Sequence, residues 1–381
     1  MSDFIPLSVP NLRGNEKKYM DEAIEAEWVS TAGPYIKDFE KQIAEFTGAD
    51  GAVACQSGTA GLHLALMEMG VTRDDIVIVP TLTFIATVNP VAYIGATPVF
   101  MDCDDTLCMD TEKLREYCES ECELRGGQLF DKKLDKRVKC INAVHVFGNL
   151  ADMESIMDIA SEFNLAVVED ACESLGSRYL SGRYAGKHSG TIGDIGVFSF
   201  NGNKIITTGG GGAVVSRHSD KLEHIRFLSQ QAKTDAFRFV HDEVGYNYRL
   251  TNIQAALGVA QMEQLCGFIK IKNDNYKLYK ADGIELYPFR DDIECNRWFY
   301  SYLAPNAAKR DYLMSELEKR DIQTRPIWEL MHRLKPYKNY PAFKIEKALG
   351  FHDRVVNLPC STNLSKQDIA RTASAIKEIM R

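Results

Sequence analysis

Between residues 52 and 215, short apolar runs alternate with segments whose apolar residues recur at helical spacing, and this alternation limits the fold more than any other feature. Strand-like runs stand at 52–54, 76–79, 98–101, 141–146, 165–168, 196–200 and 213–215. Short unbroken apolar runs suit strands covered on both faces, and parallel strands need crossover connections between them. The pattern therefore predicts an α/β chain with a large, mainly parallel sheet under helices. Helical faces are read at Ile36, Phe39, Ile43 and Phe46, stopping near Gly48, and at Met153, Ile156, Met157 and Ala160. A further helix, with Ile253, Ala256, Leu257 and Ala260 inward, begins behind Thr251, a good N-cap. From about residue 268 the chain turns to a Lys- and Tyr-rich helix, a WFYSYL strand and a helix over 309–320, which predicts a smaller α+β lobe on its own sheet. The expected division is a large α/β domain over 1–265, with an N-terminal arm, and a small domain over 266–381.

Composition narrows the class. The chain has 381 residues, 45% hydrophobic and 26% charged, enough for a large core and a second lobe. Its net charge is −8 with the two signs interspersed, so nucleic-acid binding is not expected and an anionic substrate needs a local positive site. The ten cysteines lack paired C-x-x-C spacing, and Cys55, Cys140 and Cys172 sit among apolar neighbours, which reads as reduced thiols in a cytoplasmic protein. Cys118 and Cys122 stand one helical turn apart in a charged stretch; coincidence is the better reading, and no metal site is expected. MSDFIPLSVP lacks the basic head and apolar core of a signal peptide, and no apolar run approaches the ~20 residues of a membrane span. The charged segment 119–139, broken by Gly126 and Gly127, reads as a surface hairpin or loop added to the α/β core.

The chemistry gathers at strand ends. In an open parallel sheet ligands lie beyond the carboxyl ends of the strands, which is where Asp170 falls after LAVV and where Phe84 falls after Pro80. His145 also falls at a strand end, and is read as a pocket-wall residue without a catalytic role. Ser57, Gly58 and Thr59 open a helix carrying Leu62, Ala65, Leu66 and Met69; a hydroxyl-Gly-hydroxyl triplet there suits a phosphate, because free N–H groups and the helix dipole favour an anion. In IGVFSFNGNKIITTGGGGAVV, residues 195–215, Lys204 is the sole ionisable side chain, and Gly209 to Gly212 leave room for backbone or a ligand. A lysine so placed loses solvation and becomes a usable nucleophile. A phosphate cradle, a carboxylate at a strand end and this lysine make the layout of a pyridoxal phosphate site.

Three stretches carry a family likeness: VEDACESLGS around Asp170, FSFNGNKIITTGGGGA around Lys204 and GYNYRLTNIQAALGVAQME from Gly245. They resemble the sugar aminotransferases of the DegT/DnrJ/EryC1/StrS family over nearly the whole chain, and most the branch that aminates C4 of nucleotide-linked 4-keto-6-deoxy sugars, which includes enzymes of legionaminic acid synthesis. The resemblance implies fold type I, the aspartate aminotransferase-like fold of pyridoxal phosphate enzymes. It implies pyridoxal 5′-phosphate as cofactor, passing through pyridoxamine 5′-phosphate between two half-reactions, with L-glutamate as amino donor and a nucleotide-linked 4-keto sugar, of the 2-acetamido type, as acceptor in surface-glycan or nonulosonic acid synthesis.

Lys204 and Asp170 are the implied catalytic pair: Lys204 holds the cofactor covalently and then moves the donor's proton, while Asp170 keeps the ring nitrogen protonated. Ser57, Gly58, Thr59, Phe84, Glu173, Ser199 and Asn201 complete the expected cofactor site; Glu173 stands where many relatives carry Gln or His. The asparagine matching Asn247 reaches the cofactor of a second subunit, which implies a homodimer with shared sites. Ser30, Thr31 and Tyr35, in WVSTAGPYI, are implied substrate contacts, and Arg325, with Trp328, His332 and Arg333 nearby, suits a diphosphate and a base.

Amination at C3, or a regulatory or binding protein that keeps the fold without turnover, are the alternatives; the intact Asp170 and Lys204 pair weighs against the second. A family branch that dehydrates sugars at C3 carries histidine in place of the lysine, so Lys204 argues against it. No G-x-G-x-x-G follows a first strand, which discounts a nucleotide-dependent dehydrogenase.

Overall fold

The computed structural model describes residues 4–235 and 237–381. Its main sheet runs Gly51–Cys55, Gly212–Ser216, Ile195–Ser199, Ala166–Asp170, Lys136–Val144, Asp75–Pro80, Thr97–Met101 and Ala342–Phe343. The first two junctions are antiparallel and the rest parallel. The α/β expectation stands, and each strand predicted between residues 52 and 215 is present within a few residues of its expected ends. Asp75–Pro80 is buried at every position, as an unbroken apolar strand covered on both faces should be.

Three features put the site at one edge of this sheet. Strands ending in Cys55, Asp170 and Ser199 release their last side chains at the same edge, where Gly212 begins the antiparallel strand between them. The helix Gly58–Glu68 buries Gly58 and every residue from Ala60 through Leu66, so it is a core helix rather than an amphipathic one. Gly61 lets it lie flat on the sheet: a Cβ there would stand 2.7 Å from Val197 Cγ1. The helix N-terminus is thereby brought over the ends of three strands.

The segment 119–139 forms the expected hairpin, Cys122–Arg125 against Gln128–Asp131, and its second strand pairs with Lys136–Val144 and so joins the main sheet. Gly126 and Gly127, both at positive φ (58° and 80°), supply the turn. Cys118 lies in the short π-helical segment Tyr117–Glu121 and Cys122 starts a strand, so the two do not share a helix.

The C-terminal part builds its own antiparallel sheet, Tyr300–Leu303, Val355–Leu358 and Arg325–Pro326, with the helices Leu265–Ala281, Ala307–Glu318 and Lys366–Met380. The chain crosses the expected boundary near residue 265 twice. Ala342–Phe343 returns to the main sheet beside Thr97–Met101, and the N-terminal arm bridges Ile5 to Ile322 and accepts Cys360 N on Leu7 O at 2.8 Å.

Two local expectations are corrected. In the helix Asn252–Met262 the buried face is Ala255, Ala256, Val259 and Ala260, whereas Ile253 and Leu257 are half-buried. Gly258 explains the rotation, because the Phe39 ring packs against its bare Cα, where a Cβ would stand 2.7 Å from Phe39 Cε2. His145 is not a pocket-wall residue. It is fully buried behind the sheet edge, with Nε2 2.9 Å from Glu169 Oε2 and Nδ1 accepting from Ala151 N at 3.1 Å.

Glu169 also accepts from the N–H groups of Gly190, Ile192 and Gly193, and so ties the loop before Ile195–Ser199 to the neighbouring strand. Burial would raise its pKa, but His145 and those N–H groups outweigh burial and hold it below the usual carboxylate value. The stabilisation is therefore complete above pH 4.5, the ordinary value, and is lost as pH falls through the lower folded one. Glu169→Ala, which leaves buried donors without an acceptor, is expected to cost about 3 kcal/mol or more in urea denaturation at pH 7. A loss below 1 kcal/mol (~) would show that the loop is held by other contacts.

Candidate active site

The strand ends and the helix N-terminus meet in a pocket of about 640 Å³ that the small lobe closes from the other side. Ser57 caps the helix: its backbone is extended (φ −166°), and its hydroxyl accepts from Ala60 N at 3.0 Å. Gly58 is needed for space, since a Cβ there would stand 2.6 Å from Cys172 Sγ and 3.0 Å from Ser199 Cβ. The glycine run performs the matching task on the next strand, where a Cβ at Gly212 would stand 2.6 Å from the carbonyl carbon of Ser57. Close approach of two backbones, at the positive end of a buried helix and beside Ser199, makes a cradle for an anionic tail.

Asp170 closes the opposite side. Its Oδ2 accepts from Thr87 Oγ1 at 2.7 Å and its Oδ1 from Cys172 N at 3.2 Å, and Thr87 is itself bonded to Thr83 at 2.7 Å. A carboxylate held by two donors and 4% exposed is fixed in aim, and it suits a buried protonated ring nitrogen. Phe84 stands half-exposed on the pocket wall, 6.5 Å between ring centroids from Trp328. A flat ring with a phosphate tail and a basic nitrogen matches this donor and acceptor set.

Lys204 follows a tight turn, its N–H donating to Asn201 O at 3.0 Å, and its side chain is only 11% exposed. Its Nζ lies 3.5 Å from Glu173 Oε1 and 3.8 Å from the centroid of the Trp298 ring. Trp298 is held from behind, its indole N–H donating to Asn203 O at 2.7 Å. Glu173 Oε2 accepts from Phe147 N at 2.9 Å. Its carboxyl is pushed up to about 7, by burial first; Asp170 adds to the rise, and Lys204 and the Phe147 N–H oppose it.

Of the residues expected from the sequence, Ser57, Gly58, Thr59, Phe84, Asp170, Glu173, Ser199, Asn201, Lys204 and Arg325 line this pocket together. Thr31, Tyr35 and Asn247 do not. Tyr35 directs its hydroxyl to the Glu22 carboxylate, Thr31 is half-buried nearby, and Asn247 is exposed in a bridge to Gln230. Trp328 lines the pocket beside Arg325, whereas His332 turns away to Thr81 Oγ1, 2.6 Å off, and Arg333 is exposed. The sequence reading missed Trp298, Phe147 and Asn203. An aromatic in an apolar strand such as WFYSYL is indistinguishable from core until the partner of its exposed face is known.

A model of the DegT/DnrJ/EryC1/StrS aminotransferase family matches residues 10–377. The GDP-perosamine synthase of Escherichia coli O157:H7 is 37% identical over 380 residues, covering 98% of both chains. That of Caulobacter vibrioides is 36% identical over the whole of both. Among solved structures, DesI crystallised with its TDP-sugar product superposes with a TM-score of 0.87 at 26% identity, over 100% of this chain and 94% of that one.

Proposed function

From a chain that belongs to the DegT/DnrJ/EryC1/StrS aminotransferase family, and is thus a sugar aminotransferase of fold type I dependent on pyridoxal phosphate, we propose transfer of an amino group from L-glutamate to the C4 keto carbon of a nucleotide-linked 4-keto-6-deoxy sugar. The observation that carries the reading is the placing of the Lys204 amine in one pocket with Asp170, the Ser57–Thr59 helix start and Arg325. Two relatives similar over their full length are named for a GDP-linked sugar and a structural neighbour was crystallised in the presence of its TDP-sugar product, which supports a nucleotide-linked acceptor. A 2-acetamido group on that sugar, and a place in surface-glycan or nonulosonic acid synthesis, belong to the same proposal. So does a cytoplasmic location; among the described residues no helix is long and apolar enough to cross a membrane.

When bound, pyridoxal phosphate supplies an electron sink for the pair released as the donor loses its α-proton. Ser57, Gly58, Thr59 and Ser199 would hold its phosphate at the helix start, with Asn201 beside them, and Asp170 would keep a proton on the ring nitrogen. Lys204 would hold the cofactor through its amine and, as a free amine, would take the donor's α-proton and give it back. The second half-reaction runs the same transfers in reverse on the keto sugar. Phe84 would pack on the ring face, and Arg325, which lines the same pocket, would meet the diphosphate.

A homodimer completes the reading. Phe237, Phe239 and Val244 are 88%, 71% and 79% exposed around the two-stranded ribbon Lys233–Asp235 and Val240–His241, and exposed apolar side chains grouped in this way suit cover by a second copy. In that dimer, as the family resemblance implies, Asn247 would reach the neighbouring site, and Thr31 and Tyr35 would contact the substrate.

The absorbance of the purified protein tests the sequence of events. L-glutamate is expected to bleach the visible band, and a matching nucleotide-linked 4-keto-6-deoxy sugar to restore it. A working first half-reaction that no keto sugar can reverse rejects the substrate class while leaving the cofactor standing.

A further inference from the structure

Between its covalent attachments the Lys204 amine has to stay within reach of the reacting carbon, and it has to be without its proton when it acts as a base. A primary amine in water holds its proton tightly at pH 7, near its ordinary value of ~10.4, so a nearby group must take that proton and return it. Three features of the pocket converge on this nitrogen. The Trp298 ring lies under it at 3.8 Å, a cation–π distance. The Glu173 carboxylate lies beside it at 3.5 Å. Phe147 holds the other carboxylate oxygen, and does so through backbone strain: a bulky residue sits at φ 57°, ψ 17°, which turns its N–H onto Glu173.

We propose that Glu173 is the positioning residue that takes and returns the proton of the Lys204 amine, fixed by the left-handed turn at Phe147, with the Trp298 ring as the seat of the ammonium. This rests on the reading of Lys204 as the cofactor lysine. One N–H proton passes from the Lys204 ammonium to the Glu173 carboxylate, leaving a neutral amine with its lone pair free and a neutral carboxylic acid; the return step restores both charges. Asp170 and Cys172 face the pair from the same turn, the Phe147 N–H from the turn after Lys136–Val144, and Arg325 and Glu329 from the small lobe. Burial pushes the Glu173 carboxyl up to about 7, where such a group exchanges protons readily at neutral pH.

The test uses holoenzyme of the wild type, Glu173→Gln and Glu173→Asp. Glutamine fills the same volume and still accepts from Phe147 N, but takes no proton. In Glu173→Gln the single-turnover conversion with L-glutamate is expected to fall ~10²-fold. The pH midpoint of the bound cofactor's visible absorbance is expected to move down by ~1 unit or more, because an anion no longer favours the protonated nitrogen. Borohydride still traps the link at Lys204, and Glu173→Asp recovers part of the rate with an intermediate midpoint. If Glu173→Gln does not fold, the aspartate variant carries the same test through its midpoint. A wild-type midpoint in the variants overturns the proposal, with or without a loss of rate. No trapped link at Lys204 in the wild type overturns the cofactor reading, and this proposal with it; a trapped link with an unmoved midpoint overturns this proposal alone.

Discussion

Lys204→Ala is expected to lower the L-glutamate half-reaction by roughly 10⁴-fold or more, since one substitution removes both the covalent attachment and the proton carrier. The loss is specific to the reacting atoms. Lys204 packs its amine on Trp298 and Glu173, and its backbone turn onto Asn201 O survives the change, so the thermal midpoint should move by only a few degrees (~). Borohydride followed by peptide mapping is expected to place the label on the Lys204 peptide in the wild type and nowhere in the variant. A label on another lysine, or turnover within ~10-fold of the wild type, would remove the central assignment.

The second large effect is expected at Asp170. In Asp170→Ala the cofactor still attaches to Lys204, because the amine and the helix start are untouched, but turnover falls by about 10³-fold as the ring nitrogen loses the charge that keeps it protonated. The variant should therefore keep its visible band and fail in single turnover, a split that separates an electronic role from a binding one. Asp170→Asn is expected to behave alike, since an amide accepts from Thr87 as the carboxylate does but carries no charge. Near-normal turnover in either variant contradicts the role.

The likeness of this site to its expectation is uneven, and the unevenness has a physical pattern. Asp170 and Ser57 to Thr59 were legible because each sits at the end of a short apolar strand or the start of a helix, and in a parallel sheet those ends share one edge, whereas Ser199 came from the family resemblance. Lys204 was legible from the glycine run that follows it. Trp298, which lines the pocket, and Phe147, whose N–H holds Glu173, were not, because each stands in an apolar segment whose pattern records burial and not what buries it. His145 shows the opposite failure: its strand-end position was read correctly, but its ring turns to Glu169 instead of the pocket. The rotated face of Asn252–Met262 has the same origin, since the contact of Phe39 with Gly258 joins residues far apart in the chain.

Apolar periodicity and the spacing of glycines around Lys204 determined, by themselves, that this chain builds a covered, mainly parallel sheet with the Ser57–Thr59 helix start, a carboxylate and a little-exposed amine at one edge. Those features depend on neighbours a few residues away, which any single stretch records. Which groups touch that amine was decided only by tertiary structure. Glu173 reaches it from the turn after one strand, Phe147 aims Glu173 from the turn after another, and Trp298 arrives from the small lobe. Contacts between segments that distant depend on how the lobes pack, and packing is a property of the folded chain.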